Sequence, residues 1–305
     1  MSITTSQQIA KWYELYRTID VTYTKEIIKT TGLDTRGVFL KCVGEQWPCV
    51  IYSASFDGAK VVASSKQAFA DRIKKANNLV SLRFSFRTPD KPEPLSFFIS
   101  ARVVGVAPYT QSGGDLQFTS LQFTQRPPDD FIEILGRLLD ANINSTRRRE
   151  DRILLTPDSM RRMCIVSKES YIFVQGVPRK CILRDLSFSG CKAIIVGLAK
   201  FLVGKECTIK IEMDEPRETV EIRGSIVRYE DVEGRKDLTA VALKFDEHAV
   251  PMSYKMHVND FLGQVRQNRG EDAAQSAEKQ EQATAQKAGT GGVQPAAPHP
   301  VPARK

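Results

Sequence analysis

The stretch KCILRDLSFSGCKAIIV, residues 180–196, decides how the second half of this chain is read. Residues 185–189 within it alternate polar and apolar, the period of a half-buried strand. Asp185, Ser187 and Ser189 then share one face, with Leu186 and Phe188 on the other. Gly190 suits a sharp turn or a close backbone approach, and CKAIIV resumes as a second strand. Similar short runs lie on both sides: MCIVSK and SYIFVQG before, CTIKIEM, TVEIRGSIVRYE and LTAVALKF after. Strands this frequent, with few helices between them, predict a small antiparallel barrel or sandwich from about residue 154. MSYKMHVNDFLGQV is expected to close it as a helix, with Met252, Met256 and Phe261 available for packing.

Upstream, a polar basic connector, ANINSTRRREDR, separates this region from an earlier one. Before it, Pro127-Pro128 opens a helix whose first turn carries Asp129 and Asp130 and whose apolar face holds Phe131, Ile134, Leu135, Leu138 and Leu139. Residues 37–125 read as a second set of strands: VFLKCV, PCVIYSAS, AKVVAS, LVSLRFSF, SFFISARVVGV and LQFTSLQF. FDGAK and QSGGD read as tight turns with glycine at positive φ, and SKQAFADRIKKA as a helix. At the start, Ile9, Trp12, Tyr13, Tyr16 and Ile19 share a helical face behind a Thr5/Gln8 capping box. After Gln267 the chain is Ala, Gln, Glu, Lys, Gly and Pro with almost no large apolar residue, so disorder is expected. The fold expected is mostly β: two small antiparallel barrels in tandem, joined by a helix and a basic linker, with peripheral helices and a disordered tail. The boundaries fall at 1–141, 142–153, 154–265 and 266–305.

Composition narrows the function classes. The 305 residues are 41% hydrophobic and carry a net charge of +8, which favours an anionic partner: nucleic acid, acidic lipid or a phosphorylated small molecule. No apolar run approaches the roughly 20 residues needed to cross a bilayer. The N-terminus lacks a secretory pattern, so the expected compartment is the cytoplasm. Six cysteines without a C-x-x-C pair, and three scattered histidines, read as buried free thiols and no metal site. No Walker loop, G-x-G-x-x-G or H-E-x-x-H is present, and no enzymatic activity or cofactor is expected.

Two segments carry binding chemistry. Arg147-Arg148-Arg149-Glu150-Asp151-Arg152 offers guanidinium forks for phosphate oxygens or the acceptor edge of guanine. Asp185-Leu186-Ser187-Phe188-Ser189-Gly190 offers a carboxylate for the donors on guanine's Watson–Crick edge, a short hydroxyl, and room for backbone approach. Taken alone, the first also suits a solvated linker, and the second a strand end capped by Ser and Asp.

Together they resemble the PilZ family, whose signature is R-x-x-x-R followed by [D/N]-x-S-x-x-G. Arg148 and Arg152 match the first half; Asp185, Ser187 and Gly190 match the second. GSIVR (224–228) and AVALKF (240–245) resemble the family's last strands, so the likeness covers about residues 145–262. It implies a six-stranded barrel that binds cyclic di-GMP. Arg148 and Arg152 would meet phosphate and guanine, Asp185 and Ser187 would read a guanine edge, and Gly190 would leave the nucleotide room. Arg147 would help hold a second, stacked nucleotide. The first β region resembles the extra barrel of flagellar-brake-type and two-domain spirochaete members. The protein partner that the likeness implies, a flagellar motor or another effector, leaves no motif. Glu150 and Asp151 depart from the family pattern and are expected to pair with the arginines in the free state. Rival readings are a single-stranded nucleic-acid-binding barrel and an adaptor that has lost its ligand. Aromatic and basic residues do not interleave along any one strand, which speaks against the first, and the intact signature against the second.

Overall fold

The structure is a computed structural model and describes residues 4–88, 92–109, 115–149, 151–197 and 199–267. Its strands form two separate antiparallel sheets within one compact unit, Met1–Phe261. The first sheet holds β1 (Val21–Thr22), β2 (Phe39–Cys42), β3 (Glu45–Pro48), β4 (Val50–Ala54), β5 (Gly58–Ser64), β6 (Leu79–Phe86), β7 (Leu95–Pro108) and β8 (Leu116–Phe123). Their order is β1-β4-β5-β8-β7-β6-β2-β3. The sheet curls into a half-barrel, and among the described strands no pairing joins β1 to β3. Both outermost strands are short, which limits the unpaired backbone they expose.

Helices fill the open side of this half-barrel. α1 (Ser6–Tyr16) starts at Thr5, whose hydroxyl accepts from the Gln8 N–H, and it buries Ile9, Trp12 and Tyr16. Ile19 lies beyond its end. α4 (Asp129–Arg147) drives Phe131, fully buried, among the rings of Phe56, Phe84, Phe97 and Phe123, with centroids 4.8–6.4 Å away. α1 packs on α4 at Gly136: a Cβ there would lie 2.6 Å from Trp12 Cε3, so only glycine permits this approach. α4 continues through Arg147, past the point where apolar periodicity stops. Hydrogen bonds take over from apolar contacts there, as shown below.

α2 (Lys25–Thr31) and the edge strands β1 and β3 are additions to the sequence reading. α2 is signalled by Thr24 as N-cap and by Gly32 in the left-handed conformation after its end. α3 (Gln67–Lys75) lies where expected. Gly58 does not adopt positive φ; it opens β5, where its missing side chain clears the Leu121 carbonyl oxygen. The QSGGD turn and the tail from residue 268 lie outside the described residues.

The second sheet holds β9 (Ile153–Leu154), β10 (Glu169–Val174), β11 (Val177–Leu186), β12 (Gly190–Val196), β13 (Glu206–Asp214), β14 (Arg217–Val232) and β15 (Arg235–Phe245). Six strands run β10-β13-β14-β15-β12-β11, and β11 pairs back to β10, so the barrel closes. β9 is appended outside the ring on β11. Leu183, Cys191, Ala193, Ile209, Ile211, Met213 and Val241 fill the interior with no solvent exposure. All six cysteines are free, five buried and Cys164 half-buried. α5 (Pro157–Arg162) follows β9, capped reciprocally by Thr156 and Ser159. The last helix, α6 (252–267), buries Tyr254, Val258 and Phe261, an i, i+4, i+7 stripe. Met252 and Met256 are half-buried, and Met252 packs against the core of the first domain.

Candidate functional site

The connector reaches the barrel rim because β9 stitches it there. Ile153 pairs with Leu186 and Leu154 with Asp185, so the residue before β9, Arg152, stands beside Asp185. Arg152 Nη1 donates to Asp185 Oδ1 at 2.6 Å. Arg147 is the last residue of α4 and Arg148 its C-cap, where cations complement the helix dipole. The backbone of Arg148 donates to the Asn144 carbonyl and accepts from the Asp151 N–H. Among the described residues, one of its guanidinium nitrogens, Nη1, is buried with no acceptor. A buried guanidinium N–H left unpaired costs roughly 1–3 kcal/mol or more, and an anionic oxygen brought to it would recover that.

Among the described residues, the arginines pair with acids other than Asp151. Arg152 pairs with Asp185, and Arg149 with Glu247 at 3.1 Å. Asp151 is exposed, and Glu150 lies outside the described residues. The register explains the first pair: β9 fixes Arg152 opposite the strand that carries Asp185.

Ser187 does not continue the strand face. β11 ends at Leu186, with a bulge between Leu183 and Asp185, and Ser187–Ser189 form the turn into β12. Ser187 is fully buried. Its N–H donates to the Gly190 carbonyl at 2.8 Å, and its Oγ accepts from the Gly190 N–H at 3.1 Å. This is the turn-capping role also open from the sequence. Beneath the turn, the Tyr254 hydroxyl donates to the Ser187 carbonyl at 2.8 Å, and burial raises that phenol's pKa well above its usual value. Above it, Ser189 Oγ donates to the Arg149 carbonyl at 2.7 Å, so turn and connector are tied directly. Gly190 faces its neighbouring strand: a Cβ there would lie 2.2 Å from the Leu243 carbonyl oxygen. Its lack of a side chain permits the β12–β15 pairing.

Sequence reasoning missed several residues around this site. Tyr254 was available as the first member of the α6 stripe. Lys192 pairs with Asp185 in register, and its ammonium meets Glu230 on β14, 38 residues away, a neighbour only barrel closure reveals.

The connector is also tied to the first region. Asp140 on α4 accepts from Tyr16 Oη and from the side-chain amides of Asn144 and Asn259, and Asn144 donates to Asn259 Oδ1 at 2.8 Å. Arg137 pairs with Asp260. α4 thus buries one face in the first sheet and bonds α6 of the second domain with another.

A closed barrel with an arginine-bearing connector strapped over its rim defines a binding domain for a small anionic ligand. Comparison with known proteins places it. The PilZN3 domain matches residues 7–142, and the PilZ domain residues 146–264. A cyclic di-GMP binding protein of Treponema denticola is 42% identical over 266 residues, 87% of this chain and 85% of that protein. The chain belongs to the PilZ family. Among solved structures it is similar to the Borreliella burgdorferi PlzA protein in complex with c-di-GMP, at 23% identity over 84% of this chain and 98% of that one, with a TM-score of 0.39. It is also similar to the Bacillus subtilis inhibitor of motility MotI/DgrA, at 11% identity over 76% and 95%, with a TM-score of 0.30. Among the described residues, no helix is long and apolar enough to cross a membrane.

Proposed function

We propose that this protein is a cytoplasmic cyclic di-GMP receptor, a binding protein with no catalytic role, in which residues 1–141 form an accessory domain, 142–153 the linker and 154–265 the ligand-binding domain. The observation that carries the reading is the Nη1 of Arg148, buried with no acceptor among the described residues, on the same connector as Arg152, which pairs with Asp185. A ligand with both phosphate oxygens and a guanine edge satisfies all three groups. The name of the T. denticola relative supports the same ligand. Arg148 and Arg152 donate to it, Asp185 accepts from guanine, and Ser187 and Gly190 hold the turn that presents Asp185. Arg147, exposed at the helix end, is placed for a second stacked nucleotide.

On binding, ligand oxygens replace Asp185 on Arg152 and free that carboxylate for base recognition. A half-exposed ion pair of this kind is worth about 1 kcal/mol or less, so the exchange is inexpensive. The connector then shifts, and α4, bonded to α6 through Asp140, Asn144 and Arg137, changes the arrangement of the two domains. Moving such an equilibrium from one extreme to the other takes about 5.5 kcal/mol, within reach of a tightly held dinucleotide. The rearranged surface signals to a protein partner in motility or a related process; Phe201 and Val196, both strongly exposed on the second domain, suit such a contact.

Calorimetric titration tests the ligand. Cyclic di-GMP should bind far more tightly than cyclic di-AMP, because adenine presents a donor where guanine presents O6. Equal affinities would overturn the reading.

A further inference from the structure

The outward face of the first sheet carries chemistry that the connector site does not use. Cross-strand register brings Phe39 of β2, Arg83 of β6 and Phe98 of β7 side by side, with Lys41 next along β2. The two rings meet edge to face at 5.9 Å; the Arg83 guanidinium lies 5.1 Å from the Phe39 ring centre, and the Lys41 ammonium 5.7 Å from that of Phe98. A second group lies on the same face. Tyr52 of β4 and Tyr109 each meet Phe118 of β8 at 5.1 Å, with the Lys60 ammonium 4.3 Å above the Phe118 ring. Phe98 and Tyr52 each expose 45% of their surface. Phe118 pairs with Ala107, nine residues along β7 from Phe98, so the groups are separated by roughly 30 Å of strand. Arg102, Ser100 and Ser120 lie between them. Strands β1, β2 and β4–β8 contain no aspartate or glutamate.

We propose that this face binds single-stranded nucleic acid. Rings offered to solvent accept unstacked bases, and four cations on strands free of carboxylates attract the phosphates without like-charge repulsion of the ligand. A single strand of this face carries at most one aromatic and one basic residue, as Phe39 and Lys41 on β2; the two kinds alternate mainly across strands, because neighbours on a sheet face come from adjacent strands. Duplex is disfavoured because its bases are already stacked inside.

The test is fluorescence polarisation of a 5′-fluorescein oligo(dT) of about 15 nucleotides, within the span of one to a few stacking platforms, added to the full chain. Saturable binding is expected, weakening about 50-fold between 50 and 200 mM salt if the four cations each neutralise one phosphate. A labelled duplex of the same length should bind at least about tenfold less tightly. Combined Phe39→Ala and Phe98→Ala should lose about tenfold or more with the salt slope unchanged, since stacking does not depend on salt. Combined Lys41→Glu and Lys60→Glu, at solvent-reaching positions that need not disturb folding, should weaken binding and flatten the slope. Cyclic di-GMP titration of both variants should match the parent chain, which shows the fold intact. Absence of saturable binding, duplex binding equal to single strand, or an unchanged charge-reversed variant would overturn the proposal. Displacement of the oligonucleotide by polyglutamate at equal charge concentration would also overturn it, giving the face to an acidic protein segment.

Discussion

The two sheets use opposite solutions to one problem. The second closes on itself through β10 and β11, so its edges vanish, and its strands carry carboxylates on the outside: Glu169, Asp185, Glu206, Glu212, Glu221 and Glu230 among them. The first stays open, is stopped by short edge strands and plugged by α4, and carries almost no acid in its strands. In the barrel, backbones approach closely where β12 meets β15, at Gly190 and the Leu243 carbonyl. The open sheet has a like approach at Gly58 and the Leu121 carbonyl, and adds one between its helices, at Gly136 and Trp12. The contrast teaches where each half tolerates change.

The largest expected effect tests the close β12–β15 approach within the barrel. Gly190→Val puts atoms where the Leu243 carbonyl oxygen now sits, and should cost about 3 kcal/mol or more of stability, enough to disorder the barrel. In the first sheet, Gly105→Ala meets nothing nearer than Ser120 Cβ at 4.0 Å and should cost well under about 1 kcal/mol. Thermal unfolding of the two variants checks the pair, and equal losses would break the comparison.

Next comes the site. Arg152→Ala should cost about 2–4 kcal/mol of cyclic di-GMP binding, and Asp185→Ala about 1–3 kcal/mol together with relaxed discrimination against adenine. Asp185→Ala should leave the melting temperature nearly unchanged, because the residue lies one position before the end of β11 and its partner is half-exposed. Calorimetry on both variants reads these differences.

Alkaline titration compares the two cores. Burial pushes the Cys49 thiol in the first domain and the Cys181 thiol in the second up to about 12 from the ordinary 9, and Cys207 to about 11. A raised folded-state pKa contributes stability that is whole below pH 9 and is lost as pH climbs toward the folded values. Each such thiol should therefore remove up to about 1.4 kcal/mol per pH unit above 9, in both domains. Cys49→Ala and Cys181→Ala should each flatten that slope, as read by denaturant unfolding at pH 8 and pH 10.

The smallest effect concerns the prop beneath the site. Tyr254→Phe removes one hydrogen bond to the Ser187 carbonyl and should cost about 1 kcal/mol, with a few-fold loss of ligand affinity. An affinity loss without any stability loss would show that the hydroxyl acts on the ligand and not on the turn.

The strands that alternate cleanly, such as β6 and β13, were legible because one face is buried and the period shows. β1, β3 and β9 were not: two to four residues hold no period, and only their partners define them. Arg148, Arg152, Asp185, Ser187 and Gly190 were found as a set because their spacing is local within each motif. Their separate tasks were not legible. Ser187 reads as a strand residue until the bulge before Asp185 and the turn after Leu186 are seen, and Gly190 reads as a gap for ligand until Leu243, 53 positions later, arrives beside it. The end of α4 was hidden for a different reason. Asn144 reads as a linker residue, yet it and Asp140 bond Asn259, more than a hundred positions away.

α4 spans 19 residues, a rod of roughly 28 Å. Its first turns are wedged among phenylalanine rings, and its last turn ends at the arginines. A tilt of about ten degrees around the wedged end would swing the arginine end by roughly 5 Å over that length. Read in reverse, a displacement of a few ångströms at the rim arrives in the first domain as a small rotation about Phe131. In the proposed rearrangement the helix would act as a lever with its short arm in the aromatic core, and substitutions around Phe131 would set the stiffness of that movement.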